Sequence, residues 1–565
     1  MRHSTSCLFA LALAGCAGKP PVAPAGGAPP PGADQEVTTF LATQSATLAL
    51  LDKNANLAWY EASIAGTDEA FKNSETRDGE RNRFLADPEL FKQVKAYRDG
   101  GKVTDALQKR QLDVLYLWMV GKQVPPEMLA RITTLEKQVE QAFNTFRGKI
   151  DGKEVSQNQL NDILRTATDA KKLKAAWEAQ KAVAPAVAPT LKELVKLRNE
   201  VARTLGYRDF YALRIAESEQ DEDKLLALFD ELDKLTRAPF LKAKEDLDQR
   251  LAKRLKLKPA DLMPWHYQNA FFQEPPDVFA TGLDAVYNKQ DTLALCKAFY
   301  AGIGLDVDPV VERSDLFEKP GKTPHAFEVS IDRTGDVRVL GNIVAGQEWQ
   351  STMVHELAHA MYDAYIAPDL PWLLREASHP LATEGMAMMF DRLVENPLWA
   401  EAMGIVDAAA RDKALPEARA RAAFAPLQFS RWTQVMLRFE RAMYADPDQD
   451  LNKLWWDLVE EYQGLKRPKD RNAPDYASKI HLVVAPVYYH NYMMGDLFAA
   501  QVHETIAAAL GKPPFETVYV GEPKVGELLK TKVFAPGRRL HFEALALAVT
   551  GKPLTAEAFA RRFGP

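Results

Sequence analysis

The sequence has few cysteines, no long apolar run in its body and no marked excess of charge of either sign. Three cysteines among 565 residues exclude a scaffold held together by disulfides. Beyond residue 16, no apolar run reaches the roughly 18 residues of a membrane-spanning helix, which excludes a later one. The net charge of −6 gives no support to a protein that binds nucleic acid by electrostatic attraction.

The body of the chain, residues 37–565, shows mostly helical periodicity. Residues 190–193 read T-x-x-E, which matches a capping box, and apolar residues follow at helical spacing as far as Gly206. Strand patterns are confined to residues 326–331 and 337–343, which flank a turn. The sequence therefore predicts one mostly α domain, a large helical body with one small β-sheet.

The N-terminal segment has the layout of a bacterial lipoprotein signal. An apolar run at residues 7–14 ends in the letters L-A-G-C, which resemble the lipobox whose cysteine becomes acylated. We therefore expect a signal peptide over residues 1–16 with lipidation at Cys16, and then a tether rich in Pro, Ala and Gly over residues 17–36. A plain secretory signal is the alternative.

Acylation would make the membrane a partner, because two or three buried acyl chains anchor a protein stably. The expected location is the bacterial cell envelope, facing the periplasm or the exterior. Ala17 stands where lipoproteins retained in the inner membrane carry Asp, so the outer membrane is favoured.

Residues 349–362 contain the motif H-E-x-x-H as His355, Glu356 and His359. Residues four apart lie on one face of a helix, so both imidazoles can bind one Zn²⁺. Glu356 would stand beside a water whose pKa the metal lowers to about 7, and its carboxylate could take the proton. The alternative is a pair of histidines on an amphipathic helix, and a third ligand would decide.

The candidate for that third ligand is Glu384, which lies 384 − 359 = 25 residues beyond His359. It is the single acid in an otherwise apolar helical run of Met, Ala and Phe, where an unpaired carboxylate is costly. Binding to a cation removes that cost. His379 is the competing candidate, and because it precedes Pro380 it is expected to be a loop residue.

The zinc segment and several distant segments resemble the peptidyl-dipeptidase A family, whose best-known member is angiotensin-converting enzyme. The runs H-E-L-A-H and L-P-W-L-L-R-E-A-S-H-P-L-A-T-E-G match in order, as do W-W with Y-Q-G-L at residues 455–465 and K-I-H at residues 479–481. The resemblance extends from about residue 40 to the end. It implies an almost all-α ellipsoid with a deep central channel and a helical lid over the zinc.

The resemblance also implies an oxyanion site opposite the metal. In this family a His and a Tyr donate hydrogen bonds to the tetrahedral oxyanion, and such donors are worth about 3–4 kcal/mol each. His481 matches the His. The sequence offers three tyrosines for the second donor, with one residue more than the family pattern, and we assign Tyr492 to the oxyanion and Tyr488 to substrate binding.

Further substrate contacts follow from the resemblance. Lys479 matches the residue that holds the free C-terminal carboxylate of the substrate with the help of a Gln, for which Gln268 is the candidate. His325 and Ala326 match the strand that holds the peptide backbone by strand addition.

Two positions depart from the family pattern. The chloride-coordinating Arg of the family falls on His490 or Asn491, which argues against chloride as a second cofactor. The acid that supports a zinc-binding His in the family falls on Met388, so that Asp391 or another acid must take its place.

The sequence as a whole predicts a zinc metallopeptidase that hydrolyses oligopeptides and releases C-terminal dipeptides. One alternative is an oligopeptide endopeptidase of the thimet oligopeptidase or oligoendopeptidase F type, since the spacing of the tyrosines also resembles those families. The other is a catalytically inert zinc lipoprotein that binds peptides. The sequence does not indicate an oligomeric state.

Overall fold

The computed structural model describes residues 33–563, so Cys16 and most of the predicted tether lie outside the described residues. The α-helices are α1 Ala33–Ala65, α2 Asp68–Leu85, α3 Pro88–Asp99, α4 Ala106–Val120, α5 Pro126–Thr145, α6 Gln157–Thr166, α7 Ala170–Lys181, α8 Ala184–Thr204, α9 Phe210–Glu217, α10 Glu222–Leu255, α11 Asp284–Tyr287, α12 Thr292–Gly302, α13 Asp308–Arg313, α14 Gln347–Ala364, α15 Pro380–Asp391, α16 Pro397–Ala402, α17 Ala408–Ala445, α18 Leu451–Leu458, α19 His481–Val484, α20 His490–Leu510, α21 Pro523–Leu528, α22 Phe542–Thr550 and α23 Glu557–Arg561. The strands are β1 Gly148–Ile150, β2 Lys153–Val155, β3 Phe327–Ser330 and β4 Val337–Leu340. The prediction of a mostly α fold is confirmed.

The described residues form two antiparallel hairpins, one more than the sequence predicts. The pairing of β3 with β4 confirms the predicted hairpin and places it beside α14. The pairing of β1 with β2 was not predicted, because strands of three residues are too short to show alternation.

Helix α8 begins earlier than the capping box at residues 190–193 predicts. The helix starts at Ala184, with Pro185 in its first turn, and continues through Pro189. Proline fits the first turn because the N–H that it lacks would have no partner there. The predicted end is confirmed, since the helix stops at Thr204 just before Gly206, whose φ is 88°.

Helices α1 to α4 carry an apolar cluster of their own, which also includes Leu373 and Leu374 from the segment between α14 and α15. The main core is built from α5 onward. Asp52 and Arg81 project from α1 and α2 toward a large cavity that the main core also lines. Helices α1 and α2 thus contribute to the wall of this cavity, and the lid that the family resemblance implies stays a prediction.

The cavity has a volume of about 2420 Å³, and α14, α15 and α20 contribute to its wall. Helices α15 and α20 approach closely at two glycines. A Cβ atom on Gly385 would lie 2.5 Å from the carbonyl oxygen of Gly495, and one on Gly495 would lie 2.9 Å from the carbonyl oxygen of Leu381. Because only glycine permits this approach, these two positions fix α20 against the wall of the site.

Two remaining expectations concern the membrane and the cysteine in the body of the chain. Among residues 33–563 there is no helix that combines the length and apolar character needed to cross a membrane.

Cys296 is fully buried and its Sγ accepts a hydrogen bond from Nε2 of Gln350 on α14 at 3.2 Å. Burial raises the pKa of this thiol to about 12, so Cys296 is a packing residue and not a nucleophile.

Candidate active site

Helix α14 carries the H-E-x-x-H motif on the wall of the cavity. It begins at Gln347, directly after Gly346, whose φ of 148° favours glycine. His355, Glu356 and His359 all line the cavity. Glu356 and His359 are buried, while His355 is partly exposed. The motif therefore has the helical geometry that its spacing predicts.

His355, His359 and Glu384 form a group that can hold a metal ion, with ligand atoms all within 4.8 Å of one another. The two histidine Nε2 atoms are 3.2 Å apart, and they lie 3.8 and 4.0 Å from Oε2 of Glu384. Two nitrogens bound to one tetrahedral zinc at 2.0–2.1 Å would lie about 3.3–3.4 Å apart. The donor set and its spacing therefore fit a catalytic zinc with a fourth position left for water or substrate.

The other ring nitrogen of each histidine has a partner that fixes the ring. Nδ1 of His355 lies 2.9 Å from Oδ2 of Asp391, and Nδ1 of His359 lies 2.7 Å from Oγ1 of Thr383. Such partners orient metal-binding imidazoles and raise their basicity. Asp391 thus supplies the acid that Met388 cannot, which is the role that the sequence analysis gave to it.

His379 has a different role from the three candidate ligands. Its Nδ1 accepts a hydrogen bond from the N–H of Leu381 at the start of α15, and its Nε2 lies 2.9 Å from the carbonyl oxygen of Ser218. Burial lowers the pKa of His379 to about 3, so that the ring is neutral. Both nitrogens are therefore used for helix capping and packing, which leaves Glu384 as the third ligand.

Glu356 is 1% exposed, and its Oε1 has no hydrogen-bond partner among the described residues. Burial raises its pKa to about 7. His355 acts in the opposite direction, and the neighbouring carboxylate of Glu384 adds to the rise. A carboxyl group with a pKa near neutrality can both take up and return a proton, as a general base and acid must.

His481 and Tyr492 line the same cavity. Burial, together with the charge of Lys479, lowers the pKa of His481 well below its usual value, so the imidazole is neutral. Its Nδ1 is buried without a partner among the described residues. Tyr492 lies in the first turn of α20, with its ring centroid 5.3 Å from those of Tyr488 and Tyr489. Both side chains are placed where a substrate in the cavity can reach them.

Lys479 belongs to a compact polar cluster in the cavity wall. Its Nζ donates a hydrogen bond to Oε1 of Gln273 at 2.6 Å, and the hydroxyl of Tyr489 donates to the same oxygen at 3.4 Å. The ammonium also lies 5.2 Å from the centroid of the Tyr489 ring. Burial lowers the pKa of Lys479 to about 7. The cluster of Lys479, Gln273 and Tyr489 offers a carboxylate one cation and the amide N–H of Gln273, while Tyr489 holds the amide oxygen.

The glutamine beside Lys479 is not the predicted Gln268. Gln268, whose φ is 61°, also lines the cavity, but it donates from Nε2 to the carbonyl oxygen of Arg165 and accepts from the N–H of Asp277. These two hydrogen bonds hold its amide against the loop. Gln273 takes the place that the sequence analysis gave to Gln268, and the two glutamines cannot be told apart by spacing alone.

The tyrosine that contacts Gln273 is Tyr489, whereas the predicted Tyr488 lines the cavity next to it. Just before these tyrosines, Val487 has a φ of 55°, which is rare for a β-branched side chain. The N–H of Val487 donates to Oε1 of Glu440 at 2.8 Å, which holds the turn. Tyr489, two residues beyond this turn, is the tyrosine whose hydroxyl reaches Gln273.

The strand residues that line the cavity are Glu328, Val329 and Ser330. The predicted pair lies outside: His325 is exposed in the bend before β3, and Ala326 is buried with 3% exposure. The wall contact thus begins later on the strand than predicted, because β3 itself starts only at Phe327.

His490 and Asn491, where the family pattern has an arginine, are joined by one side chain. Gln220 places Oε1 2.6 Å from Nε2 of His490 and donates from Nε2 to Oδ1 of Asn491 at 2.7 Å. Burial lowers the pKa of His490 to about 3, so the network is uncharged. A neutral network stands here in place of a guanidinium.

Comparison with known proteins shows which family the chain resembles. The family model described as angiotensin-converting enzyme matches residues 32–241 and 269–565, so the unmatched part contains Gln268 and the matched part Gln273. Angiotensin-converting enzyme-like protein Ace3 of Mus musculus is 24% identical over 490 residues, which cover 78% of this chain and 64% of that protein. Angiotensin-converting enzyme of Haematobia irritans exigua is 24% identical over 258 residues, which cover 43% of this chain and 41% of that protein.

A further relative is the inactive angiotensin-converting enzyme-related protein of Caenorhabditis elegans, which is 27% identical over 146 residues that cover 24% of this chain and 15% of that protein. The chain thus spans less than two thirds of the length of these relatives. The family model covers most of the chain, including every residue of the metal group. The chain therefore belongs to the angiotensin-converting enzyme family of peptidases.

Proposed function

We propose that the protein is a zinc peptidase that releases C-terminal dipeptides from oligopeptides. The observation that carries the proposal is that one cavity is lined by the metal group His355, His359 and Glu384 and by the cluster of Lys479, Gln273 and Tyr489. The first can cleave a peptide bond, and the second can hold a free carboxylate. Family membership supports the same activity.

In this proposal His355, His359 and Glu384 would hold one zinc ion, which when bound would supply Lewis acidity toward water and the scissile carbonyl. Oε1 of Glu356 accepts a proton from the attacking water and returns it to the nitrogen of the leaving amine. His481 and Tyr492 donate hydrogen bonds to the carbonyl oxygen as it gains negative charge. The lid helices exclude bulk water from the cavity, which strengthens each of these interactions.

Replacing Lys479 tests directly whether the protein cleaves as a dipeptidase. We expect Lys479→Met to lower kcat/KM for a peptide with a free C-terminus by about 10- to 100-fold, because a charge-assisted hydrogen bond to a carboxylate is lost. The amidated form of the same peptide should change less than about threefold. Products are identified by mass spectrometry, and exposed Lys469→Met serves as the matched control.

The same cluster predicts that the preference for a free C-terminus over an amidated one depends on pH. Because burial lowers the pKa of Lys479 to about 7, its charge is present below that pH and is lost above it. The charges that face Lys479 are those of Glu274 and Lys181. The ratio of kcat/KM for the free peptide to that for the amidated peptide should therefore fall between pH 6 and pH 8.5. Lys479→Met should abolish this fall.

Equal cleavage of the free and amidated peptides by the wild-type protein would contradict the dipeptidase mode and favour an endopeptidase. The inert alternative, which the name of the Caenorhabditis elegans relative raises, predicts no products from either peptide. The presence here of all three ligands and of Glu356 supports an active peptidase.

We also propose that Cys16 is lipidated and anchors the protein in a bacterial envelope, with the outer membrane favoured. The support is the apolar run that ends at Cys16 and the Pro-rich segment after it. In bacteria supplied with an alkyne fatty acid, the full chain should take up the label and sediment with membranes, and Cys16→Ser should do neither. Equal labelling of both forms would contradict the proposal.

A further inference from the structure

Gln273, the partner of Lys479, lies in a segment that forms neither helix nor strand, residues 268–283. The residue before it, Phe272, has a φ of 50° and is 1% exposed. A bulky side chain rarely adopts such a φ, so neighbouring groups must hold this turn in place. The backbone of a buried loop also needs hydrogen-bond partners from elsewhere in the chain. The residues that supply them determine where the side chain of Gln273 lies.

Two buried glutamines donate hydrogen bonds to the backbone of this loop. Nε2 of Gln463 donates to the carbonyl oxygens of Phe271 and Phe272, at 2.9 and 3.1 Å. Nε2 of Gln428 donates to the carbonyl oxygens of Phe272 and Glu274, at 3.1 and 2.6 Å. The two glutamines are 1% and 0% exposed. Together they bind carbonyl groups on both sides of the glutamine that contacts Lys479.

Gln463 belongs to the letters Y-Q-G-L at residues 462–465, which the proposed function does not use. It is the last residue of a π-helical turn, Val459–Gln463, that continues α18. Gly464, whose φ is 61°, ends the turn. Turns of this kind are rare and occur frequently at functional sites. Here the turn ends in the residue that reaches the loop of Gln273.

Each glutamine has one carbonyl group that depends on it. Among residues 33–563, only Gln463 donates to the carbonyl oxygen of Phe271, and only Gln428 donates to that of Glu274. The carbonyl oxygen of Phe272 accepts from both. A buried carbonyl group without a donor is unfavourable, so the loop should rearrange when either glutamine is lost.

Aromatic rings connect the loop to the other members of the cluster. The ring centroid of Phe271 lies 5.4 Å from that of Trp432, which lies 5.8 Å from that of Tyr489. Nζ of Lys479 lies 5.3 Å from the centroid of Phe271 and 5.4 Å from that of Trp432. Trp432 is on α17, one turn beyond Gln428. A shift of the loop would therefore change the distance from its amide to the ammonium and to the tyrosine hydroxyl.

We propose that Gln463 and Gln428 are positioning residues for substrate specificity. By holding the carbonyl groups on both sides of Gln273, they keep its amide beside the ammonium of Lys479. They thereby determine how strongly the protein prefers a free C-terminal carboxylate to an amide. Neither glutamine lines the cavity, whereas Gln273 does, so both act through it. The inference rests on the proposed function, because it assigns residues that give the same site its selectivity.

The quantity to measure is the selectivity ratio, which is kcat/KM for a pentapeptide with a free C-terminus divided by kcat/KM for its amidated form. Gln463→Met keeps the length of the side chain and removes both donated hydrogen bonds. We expect it to lower the ratio about three- to tenfold, mainly through a higher KM for the free peptide, because a displaced amide binds the carboxylate less well. Gln428→Met should lower the ratio in the same way.

The matched control is Gln434→Met. Gln434 lies on α17 with Gln428, is also 0% exposed, and donates from Nε2 to the carbonyl oxygen of Phe229 at 2.5 Å. Its replacement removes a buried hydrogen bond of the same kind without touching the loop, so the ratio should not change. An equal fall of the ratio in this control would show a general effect of lost packing and would overturn the inference.

A double-mutant cycle with Gln273 separates positioning from a general structural role. In a protein that already carries Gln273→Met, the change Gln463→Met should lower the ratio no further, because the amide that it positions is gone. Independent falls of the ratio would overturn the inference. Thermal unfolding shows whether each variant is folded. Gln463→Asn, which shortens the side chain by one methylene, is the second variant if the methionine form does not fold, and it should also lower the ratio.

The wild-type protein separates this inference from the proposed function. Equal cleavage of the free and amidated peptides by the wild type would overturn both, since no preference would exist to be set by position. A wild-type preference that persists undiminished in folded Gln463→Met and Gln428→Met would retain the dipeptidase mode and overturn the inference alone. A fall of the ratio in both variants, with none in Gln434→Met, would support it.

Discussion

Replacing Glu356 by Gln is expected to lower kcat for a peptide with a free C-terminus by about 10³-fold. The side chain keeps its shape and loses its ability to take up a proton, and general base catalysis contributes on the order of 10²–10⁴ to such rates. Zinc content should remain one ion per chain, because His355, His359 and Glu384 are untouched. Steady-state kinetics and elemental analysis of the same sample measure both quantities.

The control for this variant is Glu348→Gln, which removes the same charge from an exposed position on the same helix. Burial opposes ionisation of Glu356, so a neutral Gln at this position should not destabilise the fold. Activity within tenfold of wild type in Glu356→Gln, with zinc bound, would show that another group takes the proton from water.

The sequence predicts best those site residues that lie close to one another along the chain. The helix that carries His355 and His359 has a fixed geometry, so a spacing of four residues already places both rings on one face. Glu384 could be found because a single acid in an apolar helix needs a partner. Asp391, two turns beyond Glu384 on the same helix, was named for a different reason: the acid that supports a zinc-binding His in the family falls here on Met388, so a nearby acid had to replace it.

The residues that contact the substrate were harder to predict from the sequence, because they come together only when segments that are distant along the chain pack against each other. Gln273 meets Lys479 across 206 residues of chain, and nothing in the spacing distinguishes it from Gln268. Tyr489, and not the predicted Tyr488, contacts Gln273 just beyond a left-handed turn at Val487, and sequence patterns do not indicate such a turn at a β-branched residue.

The same contrast holds for the fold: features set by the local sequence were predicted, and features set by packing between segments were not. Leu225, Phe229 and Leu232 of α10 recur at helical spacing and are all buried in the main core, because this period follows from helix geometry alone. The start of α8 was placed too late because residues 190–193 have the letters of a capping box, but Pro185 supplies an earlier start. Which of two possible starts is used depends on packing of the preceding turn.

Replacing Tyr492 by Phe is expected to lower kcat about 10²- to 10³-fold with little change in KM. The hydroxyl would donate to the carbonyl oxygen only as that oxygen gains charge, so its loss affects the transition state and not substrate binding. Helix α20 is fixed against α15 at Gly385 and Gly495, so the donor is positioned before substrate arrives. Steady-state kinetics on the free peptide, with zinc content measured in parallel, gives both constants.

Tyr488→Phe is the informative comparison, because the two rings are adjacent, with centroids 5.3 Å apart, and the sequence alone leaves both open as oxyanion donors. A smaller loss of kcat in Tyr488→Phe than in Tyr492→Phe is expected, since Tyr492 lies on α20, which is fixed against α15, whereas Tyr488 precedes that helix. The reverse order would assign the oxyanion to Tyr488. Equal, small losses in both would leave His481 as the principal donor to the oxyanion.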